Sequence, residues 1–170
     1  MIREANINDS SRLAEIHVFS WRYAYKDFIS VEFLINQRTV KSGEEYFLKY
    51  FSEYDNIKNN EKVYVYEENN IIKGFLTIGE CRDNDKSIET LELMGIYIDP
   101  LFQRQKIGTK FVNYCISEAE NKNKKEIILW VFEKNNDSIE FYKKMGFNAD
   151  GKIKLMEKFK ENAIRMNKIL

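Results

Sequence analysis

A basic loop containing a glycine stands between a predicted strand and a predicted helix, and its residue types suit the binding of an anion. Arg104 and Lys106 supply positive charge, and Gly108 lets the backbone approach a ligand closely. The first N–H groups of a helix have no partner within it and lie at the positive end of its dipole. The loop is therefore a candidate phosphate site, although a tight turn with solvated basic neighbours has the same composition.

The chain offers few side chains for nucleophilic or metal chemistry. His17 is the only histidine and lies on an apolar helical stripe, which is typical of a packed core histidine. Cys115 lies on the core stripe of a predicted helix and Cys81 follows a strand, so neither resembles an activated nucleophile. One histidine and two distant cysteines are a poor zinc ligand set. We expect neither a metal nor a disulfide framework.

Length and charge limit the classes of protein that fit. The 170 residues predict a single domain over 1–170, with 27 basic and 27 acidic side chains and no net charge. This balance disfavours a broad nucleic-acid-binding surface. The N-terminus lacks the apolar core of a signal peptide, and no apolar run approaches the roughly 18 residues of a membrane span. We expect a cytoplasmic protein without nucleic-acid or membrane partners.

The periodicity of apolar residues predicts alternating strands and helices. Strands are predicted at Ile2–Ala5, Lys62–Glu67, Ile71–Glu80, Glu89–Ile98, Ile127–Phe132, Lys152–Glu157 and Ala163–Ile169. Helices are predicted after Asn8-Asp9-Ser10, over residues 31–54 in two pieces parted near Ser42-Gly43, from Ile107 to Glu126, and from Asn136 to Met145. The strand, helix and buried strand on either side of the basic loop predict a right-handed βαβ unit with parallel strands.

Two segments resemble the signatures of the GNAT N-acetyltransferase superfamily. In the family's acetyl-CoA loop, Gln or Arg is followed by two residues, Gly, one residue, and Gly or Ala. Gln103 and Gly108 match, whereas Lys106 stands where the family usually has its first glycine. Right-handed or extended backbone accepts lysine there, and left-handed backbone would be strained. In the second signature, Asn135 is followed seven residues later by Tyr142 and then by a Gly-Phe pair.

The resemblance extends over nearly the whole chain and implies a fold and a cosubstrate. Glu92–Pro100 looks like the family's central strand, and Arg3 with the helix after Asp9 looks like its opening. The implied fold is α/β (α+β), with a mixed six- to seven-stranded sheet flanked by helices and a central βαβ unit with splayed parallel strands. The implied cosubstrate is acetyl-CoA, without a metal. Its implied contacts are Ile96, Tyr97, Ile98, Gln103, Arg104, Gln105, Lys106, Ile107, Gly108, Thr109, Asn135 and Tyr142.

The resemblance also implies catalytic roles, and each has a structural alternative. Tyr142 matches the family's general acid, although its helical spacing also suits a core residue with a satisfied hydroxyl. Glu92 matches a position where some members place a base, or is an edge carboxylate facing solvent or a lysine. Asn135 matches a cofactor contact or caps a helix. Trp21, Tyr25 and Tyr46 fall in segments that wall the acceptor pocket, or pack in the core.

The implied activity is that of an acyltransferase, in the N-acetyltransferase class EC 2.3.1. We expect it to move an acetyl group to a primary amine by direct attack in a ternary complex. The expected acceptor is a small molecule such as a polyamine or amino compound, and a homodimer is compatible with the resemblance. The alternatives are a protein N-terminal or lysine acetyltransferase and a non-catalytic acyl-CoA-binding regulatory module.

Overall fold

The computed structural model describes residues 1–53 and 60–170, so the predicted helix end at residue 54 lies outside the described residues. Strands and helices alternate along the chain as the periodicity predicts. The strands are β1 (Ile2–Glu4), β2 (Lys62–Glu68), β3 (Ile71–Glu80), β4 (Thr90–Ile98), β5 (Glu126–Phe132), β6 (Asn148–Met156) and β7 (Glu161–Ile169). The helices are α1 (Ser10–Tyr25), α2 (Val40–Ser52), α3 (Ile107–Asn121) and α4 (Asn136–Lys144).

The strands form one seven-stranded sheet in the order β1-β2-β3-β4-β5-β7-β6. Only β4 and β5 pair in parallel, through the α3 crossover, and this confirms the predicted βαβ unit and the mixed α/β fold. One face of the sheet packs against α1 and α2, with Leu13 and Phe47 in that core. The other face packs against α3, where Phe111 is fully buried. No helix of the described ranges is long and apolar enough to cross a bilayer.

The sheet opens in its middle, between its two parallel strands. The last β4–β5 pair joins Leu93 to Leu129, yet β4 continues to Ile98 along β3 and β5 continues to Phe132 along β7. A β-bulge stands at the same point, because Gly95 faces Thr77 and Leu93 faces Ile78, which leaves Met94 unmatched. A bulge bends its strand and increases its twist. The predicted splay of the parallel strands is therefore present.

The helical segment before β2 divides at a different place from the one predicted. A π-helical turn covers Phe33–Gln37, and Thr39 begins α2 with a capping box to Ser42. Gly43 therefore lies inside α2, where an added Cβ would stand 3.1 Å from Cβ of Ala14. The glycine lets α2 approach α1 closely, so the predicted break near Ser42-Gly43 is wrong and the break falls at Arg38.

Candidate active site

The open edge of β4 carries unpaired backbone groups. The N–H of Asp99 donates to the carbonyl of Lys73 on β3. Backbone groups alternate in direction along a strand, so those of Ile98 and Ile96 point away from β3 and into the gap beside β5. These are the two residues whose backbone is expected to pair with a pantetheine arm. The side chains of both pack on the α3 side, so core packing and backbone pairing are compatible.

The basic loop ends in a strained residue. Lys106 is the residue before α3 and has φ 60° and ψ 16°, a left-handed conformation, and Arg104 has φ 61°. A left-handed residue followed by a right-handed one turns successive N–H groups toward a common point and forms an anion-binding nest. No side chain caps this end of α3. Lys106 thus has the backbone conformation that glycine adopts at no steric cost, and it strains the loop by about 1–2 kcal/mol.

A cleft of about 650 Å3, here called the α3-side cleft, connects this loop to the open edge of β4. Nearly all the cosubstrate contacts implied by the sequence line it. They are Ile96, Tyr97, Ile98, Gln103, Arg104, Lys106, Ile107, Gly108, Thr109, Asn135 and Tyr142. Gln105 is exposed and does not line the cleft. The nest at one end and the unpaired strand edge at the other fit the pyrophosphate and the amide-containing arm of acetyl-CoA.

Tyr142 lies where the cleft meets the gap in the sheet. It is 8% exposed, and Gly146, with φ +86°, ends its helix so that the ring packs against Phe147. Within residues 1–53 and 60–170 its hydroxyl has no hydrogen-bond partner, unlike that of a satisfied core tyrosine. Burial raises the pKa of this phenol, which keeps it protonated near neutral pH. Asn135 caps the same helix, since its side chain accepts from the N–H of Ser138.

A smaller space of about 290 Å3, the central cavity, lies in the gap itself. Trp21 and Tyr25 line both this cavity and the α3-side cleft, with their rings 4.6 Å apart. Glu92 also lines it and is 2% exposed. Both carboxylate oxygens of Glu92 accept hydrogen bonds from the guanidinium of Arg82. Glu92 is therefore buried and paired with an arginine, rather than being an edge carboxylate that faces solvent or a lysine.

A third space of about 530 Å3, the α2-side cavity, lies on the opposite face of the sheet from α3. Tyr46 lines it, as the resemblance implies for an acceptor pocket, and so does Glu61, whose pKa is raised by burial. Arg82 and Tyr97 line both this space and the central cavity, so the two spaces adjoin. The three spaces follow one another from the α3 face of the sheet to its α2 face, and this row of adjoining spaces, here called the passage, suits a donor and an acceptor entering from opposite faces.

Sequence reasoning did not single out Glu61, Arg82 and Arg38, which line this passage. Tyr97, expected among the cosubstrate contacts, lines all three spaces. Arg82 could have been found, because β3 and β4 pair Gly79 with Glu92 and bring the following residues near that carboxylate. Arg38 and Glu61 stand next to elements rather than on a periodic stripe, so no spacing indicates them.

Solved structures share this architecture. The PaiA N-acetyltransferase of Thermoplasma acidophilum, solved in complex with coenzyme A, superposes with a TM-score of 0.77. The match covers 100% of this chain and 98% of that one at 22% identity. A mixed sheet parted at the only parallel pair of the described strands, beside a helix N-terminus without a side-chain cap, is thus the fold that this chain shares with that N-acetyltransferase.

The amino-acid sequence also matches a known family and several known relatives. The model of the acetyltransferase (GNAT) family matches residues 20–147, and the chain therefore belongs to this family, whose acyl donor is acetyl-CoA. It is 31% identical over 99 residues to an uncharacterised N-acetyltransferase of Methanocaldococcus jannaschii. It is 29% identical over 87 residues to the L-methionine sulfoximine/L-methionine sulfone acetyltransferase of Salmonella typhimurium. The matches cover 57% and 51% of this chain, and 43% and 50% of these two relatives.

Proposed function

We propose that the protein transfers an acetyl group from acetyl-CoA to the primary amine of a small amino compound, by direct attack in a ternary complex. The observation that carries the proposal is the hydroxyl of Tyr142, which has no hydrogen-bond partner in the described part of the chain and lies beside the unpaired edge of β4. A passage open on both faces of the sheet supports a mechanism in which donor and acceptor are bound together. The name of the Salmonella relative supports an amino compound as the acceptor.

In this proposal the backbone of Ile96 and Ile98 and the nest at Lys106 hold the donor, so that its thioester lies in the central cavity. The neutral amine forms a bond to the thioester carbonyl carbon, the carbon–sulfur bond breaks, and the surplus proton on the nitrogen passes to Glu92, directly or through a water molecule. Tyr142 donates its phenol proton to the leaving thiolate, whose parent thiol has a comparable pKa. Burial raises the pKa of Tyr142, so the phenol is protonated before the reaction, and because burial also destabilises a thiolate in the same cavity, the phenol can still protonate the leaving group.

Glu92 is the proposed base, directly or through a water molecule, because it is the one carboxylate of the described residues that lines the central cavity. Arg82 fixes its orientation with hydrogen bonds to both oxygens. Glu61 is a second carboxylate, in the adjoining α2-side cavity, and burial raises its pKa. Because Arg82 balances the charge of Glu92, Glu61 is the carboxylate proposed to attract an ammonium group before it loses its proton.

The test is a thiol-release assay with acetyl-CoA and a panel of amino acids, polyamines, aminoglycosides and N-terminal peptides. Tyr142→Phe is expected to lower kcat by ~10²-fold for whichever acceptor reacts, the usual scale for a lost general acid. Tyr114→Phe is the matched control, because its ring packs on Tyr64 and lines none of the three spaces. Unchanged turnover of Tyr142→Phe would remove Tyr142 from the mechanism. Binding of acetyl-CoA without thiol release for any acceptor would favour a regulatory module.

A further inference from the structure

Arg38 holds its guanidinium inside the passage, against rings rather than against a carboxylate. It follows the π-helical turn and directly precedes the residue that caps α2. Its guanidinium carbon lies 3.5 Å from the centre of the Trp21 ring, and its Nη1 lies 3.2 Å from Nε2 of His17. Its Nε is buried and has no hydrogen-bond partner among the described residues. One donor of a fixed cation is thus left unused.

No carboxylate of the described residues pairs with Arg38. Within residues 1–53 and 60–170 it forms no ion pair, and burial lowers its pKa. His17 is neutral, because burial and the charge of Arg38 lower its pKa to about 3. The buried Arg165, in contrast, bonds to three aspartates. Removing an unpaired cation from water is costly, and an anion that reaches Arg38 would offset this cost.

The position of Arg38 between two cavities determines which anions can reach it. Arg38 lines both the central cavity and the α2-side cavity, on the route of an acceptor that approaches Tyr142 from the α2 side. Glu92 lines the central cavity and Glu61 the α2-side cavity. These spaces therefore present Arg38 for an acidic group and Glu61 for an ammonium group, while Glu92 is already paired with Arg82. That charge pattern is complementary to a zwitterion and not to a polyamine, which would place positive charge beside Arg38.

We propose that Arg38 binds an acidic group carried by the acceptor, which restricts acetylation to small amino acids and to amines with a similarly placed acid. The planar guanidinium suits a carboxylate, since its parallel N–H donors match the two oxygens. The stacking on Trp21 fixes the plane of the guanidinium. The inference rests on the proposed acetyl transfer and names the acceptor class for that same site.

The experiment compares kcat/KM for an L-amino acid and for its carboxamide, which keeps the amine and loses the anion. The wild-type protein is expected to favour the acid. Arg38→Gln should lower kcat/KM for the acid by roughly 10- to 100-fold, the range for losing a hydrogen-bonded charge, and change the amide by less than about threefold. Arg38→Lys keeps the positive charge but lacks the two parallel N–H donors of the guanidinium, so its kcat/KM for the acid should lie between those of the wild-type protein and Arg38→Gln. Lys143→Gln removes an exposed charge that lines none of the three spaces and should leave the acid-to-amide preference intact.

The outcomes separate the two proposals. Equal use of acid and amide by the wild-type protein, or an equal loss on both in Arg38→Gln, overturns the role of Arg38 and leaves acetyl transfer standing. Absence of thiol release with every acid, amide and amine overturns acetyl transfer, and the role of Arg38 with it. Stabilisation of Arg38→Gln by acetyl-CoA to the wild-type extent shows that the variant is folded. If it does not fold, the wild-type preference and Arg38→Lys decide.

Discussion

The imidazole of His17 is enclosed by rings, and this enclosure determines its chemistry. The centre of its ring lies 4.6 to 6.2 Å from the ring centres of four residues in edge-to-face arrangements, namely Trp21, Phe47, Phe75 and Tyr97. Burial is the main cause of its low pKa, and the Arg38 charge is the second. A neutral imidazole can accept a hydrogen bond from Arg38 and cannot supply a proton near neutral pH. His17 therefore supports Arg38 and packs the core, as its apolar stripe predicts, rather than acting as an acid.

The low pKa of His17 predicts a pH dependence of folding stability. The folded-state pKa of about 3 lies below the ordinary histidine pKa of 6.5, so the unfolded state binds more protons between these pH values. The neutral His17 therefore contributes its full share to the free energy of unfolding above pH ~6.5. This share is lost as the pH falls toward ~3, by at most about 1.4 kcal/mol per pH unit. Urea unfolding at pH ~7, ~6 and ~5 should show this slope in the wild-type protein and a shallower one in His17→Gln.

The chain provides its own control for that slope, because it contains one histidine. The remaining groups that titrate at acid pH are carboxylates. Those with lowered pKa values, such as Glu126, which is hydrogen-bonded to Lys86, add their own loss of stability only at lower pH. The readout is the slope and not the absolute free energy of unfolding, which the substitution also changes. Equal slopes for the two proteins between pH ~6.5 and ~5 would contradict a buried, neutral His17.

At the scale of elements, a loop and a helix end depend on the conformation of one lysine. The left-handed backbone of Lys106 directs the free N–H groups at the start of α3 into the α3-side cleft. Glycine adopts that conformation without steric cost, whereas a Cβ makes it unfavourable. Lys106 also places a cation beside the expected pyrophosphate. The loop therefore combines backbone strain with an added charge.

Lys106→Gly is expected to stabilise the protein by about 0.5–1 kcal/mol. Relief of about 1–2 kcal/mol of left-handed strain exceeds the roughly 0.5–1 kcal/mol that glycine adds in unfolded-chain entropy. The measurement is denaturant unfolding without ligand, at one pH and ionic strength. Lys106→Ala is the matched control, because it removes the same charge and keeps the strained Cβ. An equal gain in stability from alanine and glycine would assign the effect to charge and contradict the strain.

The order of elements was predictable, whereas the boundaries that depend on contacts between elements were not. Strand composition and the Pro100 stop located β4, and alternation along the chain gave the βαβ unit. Gly43 is typical of a helix break in the sequence, yet in the structure it lies inside α2, where the absence of a side chain lets Ala14 of α1 pack closely against it. The residues of the candidate site also differ in whether the sequence alone predicts them. Tyr142 was found through a local signature, while Arg38 acquires its surroundings only when α1 and α2 pack together.

At the scale of the whole molecule, the sheet has a gap at its centre, where β4 and β5 stop forming backbone hydrogen bonds with each other. The unpaired edge of β4 from Met94 to Ile98 faces the cleft, while every other strand-to-strand border in the described sheet is paired. Backbone polar groups are normally satisfied, so this edge favours a ligand with amide groups. The net charge is zero, and attraction for phosphates is therefore concentrated at the basic loop. The proposed donor would contact both, and so would join the two halves of the sheet.

Acetyl-CoA is therefore expected to stabilise the whole domain and to protect specific amides. At about 100 times its Kd a ligand adds about 2.7 kcal/mol, which corresponds to a rise in Tm of roughly 5–10 °C for a domain of this size. Hydrogen exchange should slow at the amides of Ile96 and Ile98. ADP is the matched ligand, because it carries a pyrophosphate without the pantetheine arm and should raise Tm without protecting β4. Stabilisation by acetyl-CoA with unchanged exchange along β4 would place the arm elsewhere and contradict the role of the sheet's gap.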